Sequence, residues 1–157
     1  MLRGNQLQFL TADDWVLIRA RAVSHTFKLG EEIIREGALV NNLYIIRQGM
    51  AAVVLAGTSS RTVVATLGPD DVCGDMAFLE RSAATAAVVA KDSEVEVDEI
   101  NAQQLREVLE SFPRLASRFY RSLALVLVRR LRVTTRELVR EMSFNDHTQA
   151  GKLKMQV

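Results

Sequence analysis

Glycines divide the middle of this chain into short segments, and their spacing constrains the fold more than any other feature. Six of them recur at intervals of about six to twelve residues: Gly30, Gly37, Gly49, Gly57, Gly68 and Gly74. Around them lie runs of aliphatic and β-branched residues: Asn42–Arg47, Ala52–Leu55, Arg61–Leu67, Ala86–Ala90 and Val95–Ile100. Short strands separated by regular turn signals predict a sandwich, barrel or jelly roll.

Helical patterns flank this β-rich region. Thr11 followed three residues later by Asp14 is an N-cap pattern. Apolar residues then recur at helical spacing through Ala22, which predicts one short N-terminal helix. After the strands, Asn101 can cap a helix over Ala102–Glu110.

A longer helix is predicted over about 112–142, with Pro113 in its first turn and Ser111 as a nearby cap. No glycine or proline interrupts it before Met142. The segment 143–157 has no apolar periodicity, so we expect a flexible tail. The predicted organisation is therefore one domain over 1–142, including the long helix, followed by this tail.

Composition excludes few classes of function. The net charge of +1, with 48% hydrophobic and 25% charged residues, is typical of a globular soluble chain and favours no class of partner. Cys73 is the only cysteine, so no disulfide forms within the chain and a reducing compartment is favoured. No apolar run approaches the ~20 residues of a membrane span, and we find no secretory signal. These features predict a cytoplasmic protein.

Three motifs carry a resemblance to a known family: Phe27–Gly37 (FKLGEEIIREG), Leu43–Gly49 (LYIIRQG) and Leu67–Leu79 (LGPDDVCGDMAFL). Together they resemble the cyclic nucleotide-binding domain family, which includes the bacterial catabolite-activator regulators. The resemblance extends over about residues 10–142 and implies a β-roll, or jelly roll, mainly β with a short N-terminal and a long C-terminal helix. From the residues themselves, we expect positive φ angles at Gly30 and Gly49, and apolar residues on both faces of the strand after Asn42.

The third motif resembles the start of the family's phosphate-binding cassette, in which a glycine opens a short helical turn. Backbone N–H groups at such a start can bind an anion. By resemblance, the candidate ligand site comprises Gly74, Asp75, Met76, Ala77, Arg81, Ala83, Ala84, Thr85 and Ala86. The family's ribose-binding acid falls on Asp75. Its phosphate-binding arginine falls on Ala84, while Ala83 and Ala87 take the positions of its proline and its threonine or serine.

Loss of the arginine argues against ordinary cyclic-nucleotide binding. A phosphate in a partly buried site without its charge partner costs roughly 3–5 kcal/mol. Arg81 is a candidate replacement, and Thr85 could donate one hydrogen bond. Alternatively, Ser82–Ala90 is only a strand of small residues with no ligand. A cyclic nucleotide is therefore possible but disfavoured, and no cofactor is certain.

Other reactive side chains predict no chemistry. Cys73 could be a redox switch, but a buried core residue is favoured because no basic residue flanks it. The carboxylates Asp70, Asp71 and Asp75 favour a solvated turn over a cation site. His25 and His147 lack metal-ligand spacing. We find no catalytic constellation, so a non-enzymatic protein is predicted.

The long helix carries more apolar residues than one narrow face needs. We predict a homodimer through this helix, with Phe119, Leu123, Leu127, Leu131 and Leu138 at the interface. A helix folded back over the roll is the alternative. Eight of the sixteen arginines lie between Arg114 and Arg140, so binding to nucleic acid or an acidic membrane is a further alternative.

Three functional hypotheses follow. The first is a dimeric regulatory or sensor module that binds cyclic AMP and cyclic GMP weakly or not at all and acts on an unknown effector protein. The second is a cyclic-nucleotide receptor with a substitute phosphate anchor. The third is a nucleic-acid-binding protein that uses the arginines of the helix. DNA binding is disfavoured because only fifteen residues follow Met142, too few for the helix-turn-helix of the bacterial regulators.

Overall fold

The computed structural model describes the backbone of residues 7–57 and 60–154, and the side chains of these residues up to Asn145. Helices and strands alternate in the order α1 (Ala12–Arg19), β1 (Ala22–Lys28), β2 (Glu32–Ile34), β3 (Asn42–Gln48), β4 (Ala51–Ala56), β5 (Arg61–Leu67), β6 (Val72–Cys73), α2 (Asp75–Glu80), β7 (Ala87–Ala90), β8 (Glu94–Asn101), α3 (Ala102–Ser111) and α4 (Pro113–Lys154).

The strands form two antiparallel four-stranded sheets, in the orders β1-β8-β3-β6 and β2-β7-β4-β5. Ile46 of β3 and Val97 of β8 lie in the core between the two sheets. Leu43 and Ile45 of β3 belong instead to a second core, which the helices cover. Because successive side chains of a strand point to opposite faces, β3 is buried on both sides, as predicted. The predicted fold class, mainly β with flanking helices, is confirmed.

The turn between β3 and β4 shows why a glycine is needed there. Gly49 has φ +82°, and a Cβ atom at this position would lie 2.6 Å from the carbonyl oxygen of Glu94. Gly30 also has a positive φ, of +85°. Both predicted turns are therefore confirmed, and at Gly49 the close approach of β8 adds to the conformational requirement.

Three local predictions were wrong. Ala22 begins β1 rather than continuing α1, because the helix ends at Arg19. Ser111 does not cap α4; it ends α3, and its hydroxyl donates to the carbonyl oxygen of Glu107. Strands β1, β2 and β6 escaped prediction because β1 is mostly exposed, and β2 and β6 have only three and two residues. The Asn101 cap of α3 is confirmed: its Oδ1 accepts from two backbone N–H groups.

Helix α4 continues to Lys154, well past its predicted end at Met142. The backbone of 143–154 is therefore helical, so the predicted end of the helix was wrong, while the flexibility expected of these residues stays a prediction. Helix propagation adds one hydrogen bond per residue and needs no apolar stripe, so an uninterrupted sequence can extend the helix. The end of the predicted tail, 155–157, lies outside the described residues.

Polar contacts fasten the N-terminal segment to α4. Arg118 donates from Nε and Nη2 to the two carboxylate oxygens of Asp14, each at 2.6 Å. The backbone N–H of Phe9 donates to the buried hydroxyl of Ser122. These contacts place the first half of α4 against the β-roll, so that its second half begins at the edge of the domain.

Candidate functional site

The predicted cassette lies between β6 and β7. Gly74 precedes α2 with φ +81°, and a Cβ atom there would lie 2.8 Å from the carbonyl oxygen of Asn42. Only glycine combines this left-handed conformation with so close an approach of β3. Asp75 and Ala77 then turn into the protein and are buried, while Met76 is exposed. The structure thus contains the glycine-initiated helical turn that the resemblance implies.

Asp75 is 2% exposed and is paired with an arginine from the long helix. Arg130 donates from Nη1 to both carboxylate oxygens of Asp75, at 2.7 and 2.8 Å. Its Nη2 donates to the carbonyl oxygen of Val72, in β6. A buried carboxylate requires such a partner because desolvation of an unpaired charge is costly. Asp75, at the position of the family's ribose-binding acid, is therefore already paired with the guanidinium of Arg130.

Sequence reasoning missed Arg130. It lies 55 residues from Asp75 and inside a run of arginines, so no local spacing distinguishes it. A helical projection of the sequence could have identified it. At about 100° per residue, Arg130 falls on the same side of α4 as Phe119, Leu123 and Val126. These three residues are buried. An arginine that continues a buried face must find a partner within the domain.

The other end of α2 bears Arg81, the candidate replacement anchor. Arg81 ends the helix in a left-handed conformation, with φ +54°, and is exposed. It lies about 9 Å along the helix from Asp75, at 1.5 Å per residue. A second arginine, Arg106 of α3, lies over the ring of Phe78 and donates to the carbonyl oxygen of that residue, at 3.1 Å. Helix α2 is thus held at its start by α4 and near its end by α3.

The segment after α2 pairs with the loop before β3. Ala83 forms a bridge with Leu39. Ala84 donates its N–H to the carbonyl oxygen of Ala38 and accepts from the N–H of Gly37, and its methyl group packs against the core between the sheets. The position of the family's arginine therefore bears a short apolar side chain in a backbone-paired segment. Thr85 is exposed and Ala86 is half-buried.

Cys73 is a buried core residue. Burial, with the nearby charge of Asp75 as a smaller cause, raises the pKa of its thiol to about 12. A thiol of this kind is protonated at neutral pH and weakly nucleophilic. This environment supports the structural interpretation of Cys73 over a redox role.

The acidic turn and His25 make ordinary contacts. Asp71 accepts from the backbone N–H of Gly68 at 2.8 Å, as expected for a turn. His25 lies 3.2 Å from a carboxylate oxygen of Glu99. Among the described residues, no three His, Cys, Asp or Glu side chains are grouped to hold a metal ion. The side chain of His147 lies outside the described residues.

The five predicted dimer residues do not share one face. Phe119 and Leu123 are buried in the chain's own helical core, so their assignment to an interface with a second copy was wrong. They face the β-roll because the first half of α4 packs there. Leu127 is half-buried, whereas Leu131 and Leu138 are 67% and 56% exposed.

Two open depressions lie away from the cassette. One of about 610 Å³ is lined by residues of β2, β4, β5 and β7 and of the turn after β2: Glu32, Arg35, Glu36, Gly37, Val54, Ala56, Arg61 and Ala87. Val54 and Ala87 alternate with residues of the inter-sheet core, so this depression is on the outer face of the second sheet. Within the described residues, no helix is both long and apolar enough to cross a membrane.

A family model described as "Cyclic nucleotide-binding domain" matches residues 24–112, more than half of the chain. The chain therefore belongs to the cyclic nucleotide-binding domain family. The match includes the cassette and its alanine substitutions, but it ends before α4. Arg130 thus lies outside the residues that the family model matches.

Three relatives give the context of this domain. Cyclic GMP-binding protein C of Dictyostelium discoideum is 33% identical over 126 residues, which are 75% of this chain and 5% of that protein. Glutaminase 2 of Bradyrhizobium diazoefficiens is 31% identical over 122 residues, 78% of this chain and 19% of the enzyme. The solved regulatory subunit of a cAMP-independent protein kinase A from Trypanosoma brucei is 28% identical, with a TM-score of 0.60 over 71% of this chain and 41% of that chain. The chain therefore spans only 5% and 19% of the length of the first two relatives, and 41% of the third.

Proposed function

We propose that this chain is a non-enzymatic regulatory module that binds cyclic AMP and cyclic GMP weakly or not at all. The observation that carries the proposal is Ala84, an apolar residue where the family resemblance requires the phosphate-binding arginine. Its segment is paired through its backbone to the loop at 37–39. The comparison with the T. brucei regulatory subunit, which belongs to a protein kinase A described as cAMP-independent, supports a domain of this fold that works without cyclic AMP.

Energetics support weak binding. A phosphate that is partly buried without a charge partner loses roughly 3–5 kcal/mol, or a factor of a few hundred to several thousand in affinity. Backbone amides at a helix start offset on the order of 1 kcal/mol of this. Arg81 is exposed at the far end of α2, and Thr85 offers a single hydroxyl. Neither residue compensates for the missing guanidinium.

A receptor that uses a substitute anchor is the second candidate, and Arg130 favours it. Its guanidinium is already at the cassette, 2.7 Å from Asp75, and would have to exchange this carboxylate for a phosphate. The name of the D. discoideum relative makes cyclic GMP the first ligand to test.

We further propose a homodimer through the projecting part of α4. Leu131, Leu138 and Met142 are all more than half exposed. They lie on one side of the helix, about 120° around its axis from the buried face, at about 100° per residue. Exposed apolar stripes of this kind mark interaction surfaces. The dimer would act on an effector in the cytoplasm, and the small share of each relative that this domain occupies supports a module that works with other domains.

Titration calorimetry with cyclic AMP and cyclic GMP tests the weak binding. We expect no micromolar binding by the wild-type chain, and micromolar or tighter binding would overturn the proposal. Ala84→Arg should strengthen binding at least tenfold. Ala83→Arg is the matched control: it adds the same charge one residue away, at a position that is exposed and on the opposite face of an extended segment. No gain with Ala84→Arg would show that the cassette register is wrong.

A further inference from the structure

Arg130 holds the one carboxylate of the cassette that could receive a sugar hydroxyl. Both oxygens of Asp75 accept from its Nη1, and Val72 accepts from its Nη2. One guanidinium therefore joins β6, the start of α2 and α4. Charge-assisted hydrogen bonds of this kind are about twice as strong as neutral ones.

The place of Arg130 along α4 gives this contact a second consequence. Before it, Leu123 and Val126 are buried in the domain. After it, every residue in 131–145 is exposed. The helix continues to Lys154, about 36 Å beyond Arg130 at 1.5 Å per residue. Arg130 thus lies where the helix changes from packed to projecting, and its side chain connects that point to the cassette.

We propose that Arg130 is an internal ligand of the cassette. It occupies Asp75 in place of a sugar hydroxyl, and it keeps α4 attached to the β-roll without a nucleotide. The inference rests on the proposed function, because weak nucleotide binding leaves Asp75 to Arg130. A ribose-containing ligand must displace the guanidinium before its hydroxyl can use this carboxylate, so Arg130 sets both ligand access and the attachment of the helix.

Hydrogen–deuterium exchange of the full chain tests the attachment. Arg130→Gln should speed amide exchange at least tenfold, or about 1.4 kcal/mol, in α2 and in residues 123–130 of α4. Exchange in β8 should not change. Arg132→Gln is the matched control, since Arg132 is exposed on the projecting part of the helix. The proposal would be overturned if the amides of α2 in Arg130→Gln exchanged at the wild-type rate. It would also be overturned if Arg132→Gln speeded their exchange as much as Arg130→Gln does.

If Arg130→Gln also loses protection in β8, the charge-swapped pair Asp75→Arg with Arg130→Asp decides. If the α2 amides of the charge-swapped variant are better protected than those of Arg130→Gln, the internal ligand is supported. If their protection does not recover, the proposal is overturned.

The competition between Arg130 and a ligand is tested by cyclic GMP binding to the Ala84→Arg variant. Removing the internal ligand from this variant, with Arg130→Gln, should tighten cyclic GMP binding at least a further tenfold, and equal or weaker binding would refute the competition. These results are distinct from failure of the proposed function, which only micromolar binding by the wild-type chain would show.

Discussion

The ion pair between Asp14 and Arg118 gives the sharpest prediction of stability. Asp14 is buried, with both carboxylate oxygens bound to the Arg118 guanidinium, and it also accepts from the backbone N–H of Thr11. The hydrogen bonds from Arg118, the largest cause, lower the pKa of Asp14 from its ordinary 3.8 to about 2. Asp14→Asn removes the charge but keeps an oxygen that can cap α1.

The magnitude follows from this pKa. A lowering of this size corresponds to roughly 2 kcal/mol in full. Because Arg118 is 36% exposed, solvent screening reduces the expected contribution to about 1 kcal/mol. The folded-state pKa is below the unfolded one, so this stability is complete above about pH 4 and is lost as the pH falls toward 2.

Urea unfolding, followed by the fluorescence of Trp15, measures the effect at the helix concerned, because Trp15 is the only tryptophan and lies in α1. At one fixed protein concentration, wild type should exceed Asp14→Asn by about 1 kcal/mol at pH 7. The two should converge near pH 2. Asp13→Asn, an exposed neighbour, is the control and should change stability by less than about 0.5 kcal/mol. A difference that persists unchanged at low pH would refute the reasoning.

Three further outcomes are expected. Leu131→Asp with Leu138→Asp should reduce the sedimenting mass to that of a monomer. Val133→Asp, on the opposite side of α4, should leave the mass unchanged. A monomeric wild type would contradict the dimer. Gly49→Ala should lower the free energy of unfolding by at least about 2 kcal/mol, because a Cβ there meets a carbonyl of β8. Gly30→Ala, which meets no atom within 4 Å, should cost about 1 kcal/mol, and equal losses would refute the steric argument. We expect no mobility shift with duplex DNA at about 0.15 M salt; a salt-dependent shift would favour the nucleic-acid alternative.

Local sequence was sufficient for the fold class and for its main turns. Turn residues such as Gly49 and the cap at Asn101 act within a few residues of themselves, so their positions predict local structure directly. The same holds for Gly74, which opens α2, and for Ala84, whose place follows by counting from Gly74. The proposed loss of the phosphate arginine therefore rests on the sequence and its family resemblance, without any tertiary contact.

The partner of Asp75 was decided only by tertiary structure. A helical projection places Arg130 on the buried side of α4, but only the packing of α4 decides that it reaches Asp75. The same packing turns Phe119 and Leu123 inward and leaves Leu131 outside. The sequence, through its family resemblance, thus supplied the proposal that the cassette lacks its arginine. The fold decided that a second arginine, 55 residues after the acid, occupies Asp75, because such a contact depends on how distant elements pack rather than on local conformational preference.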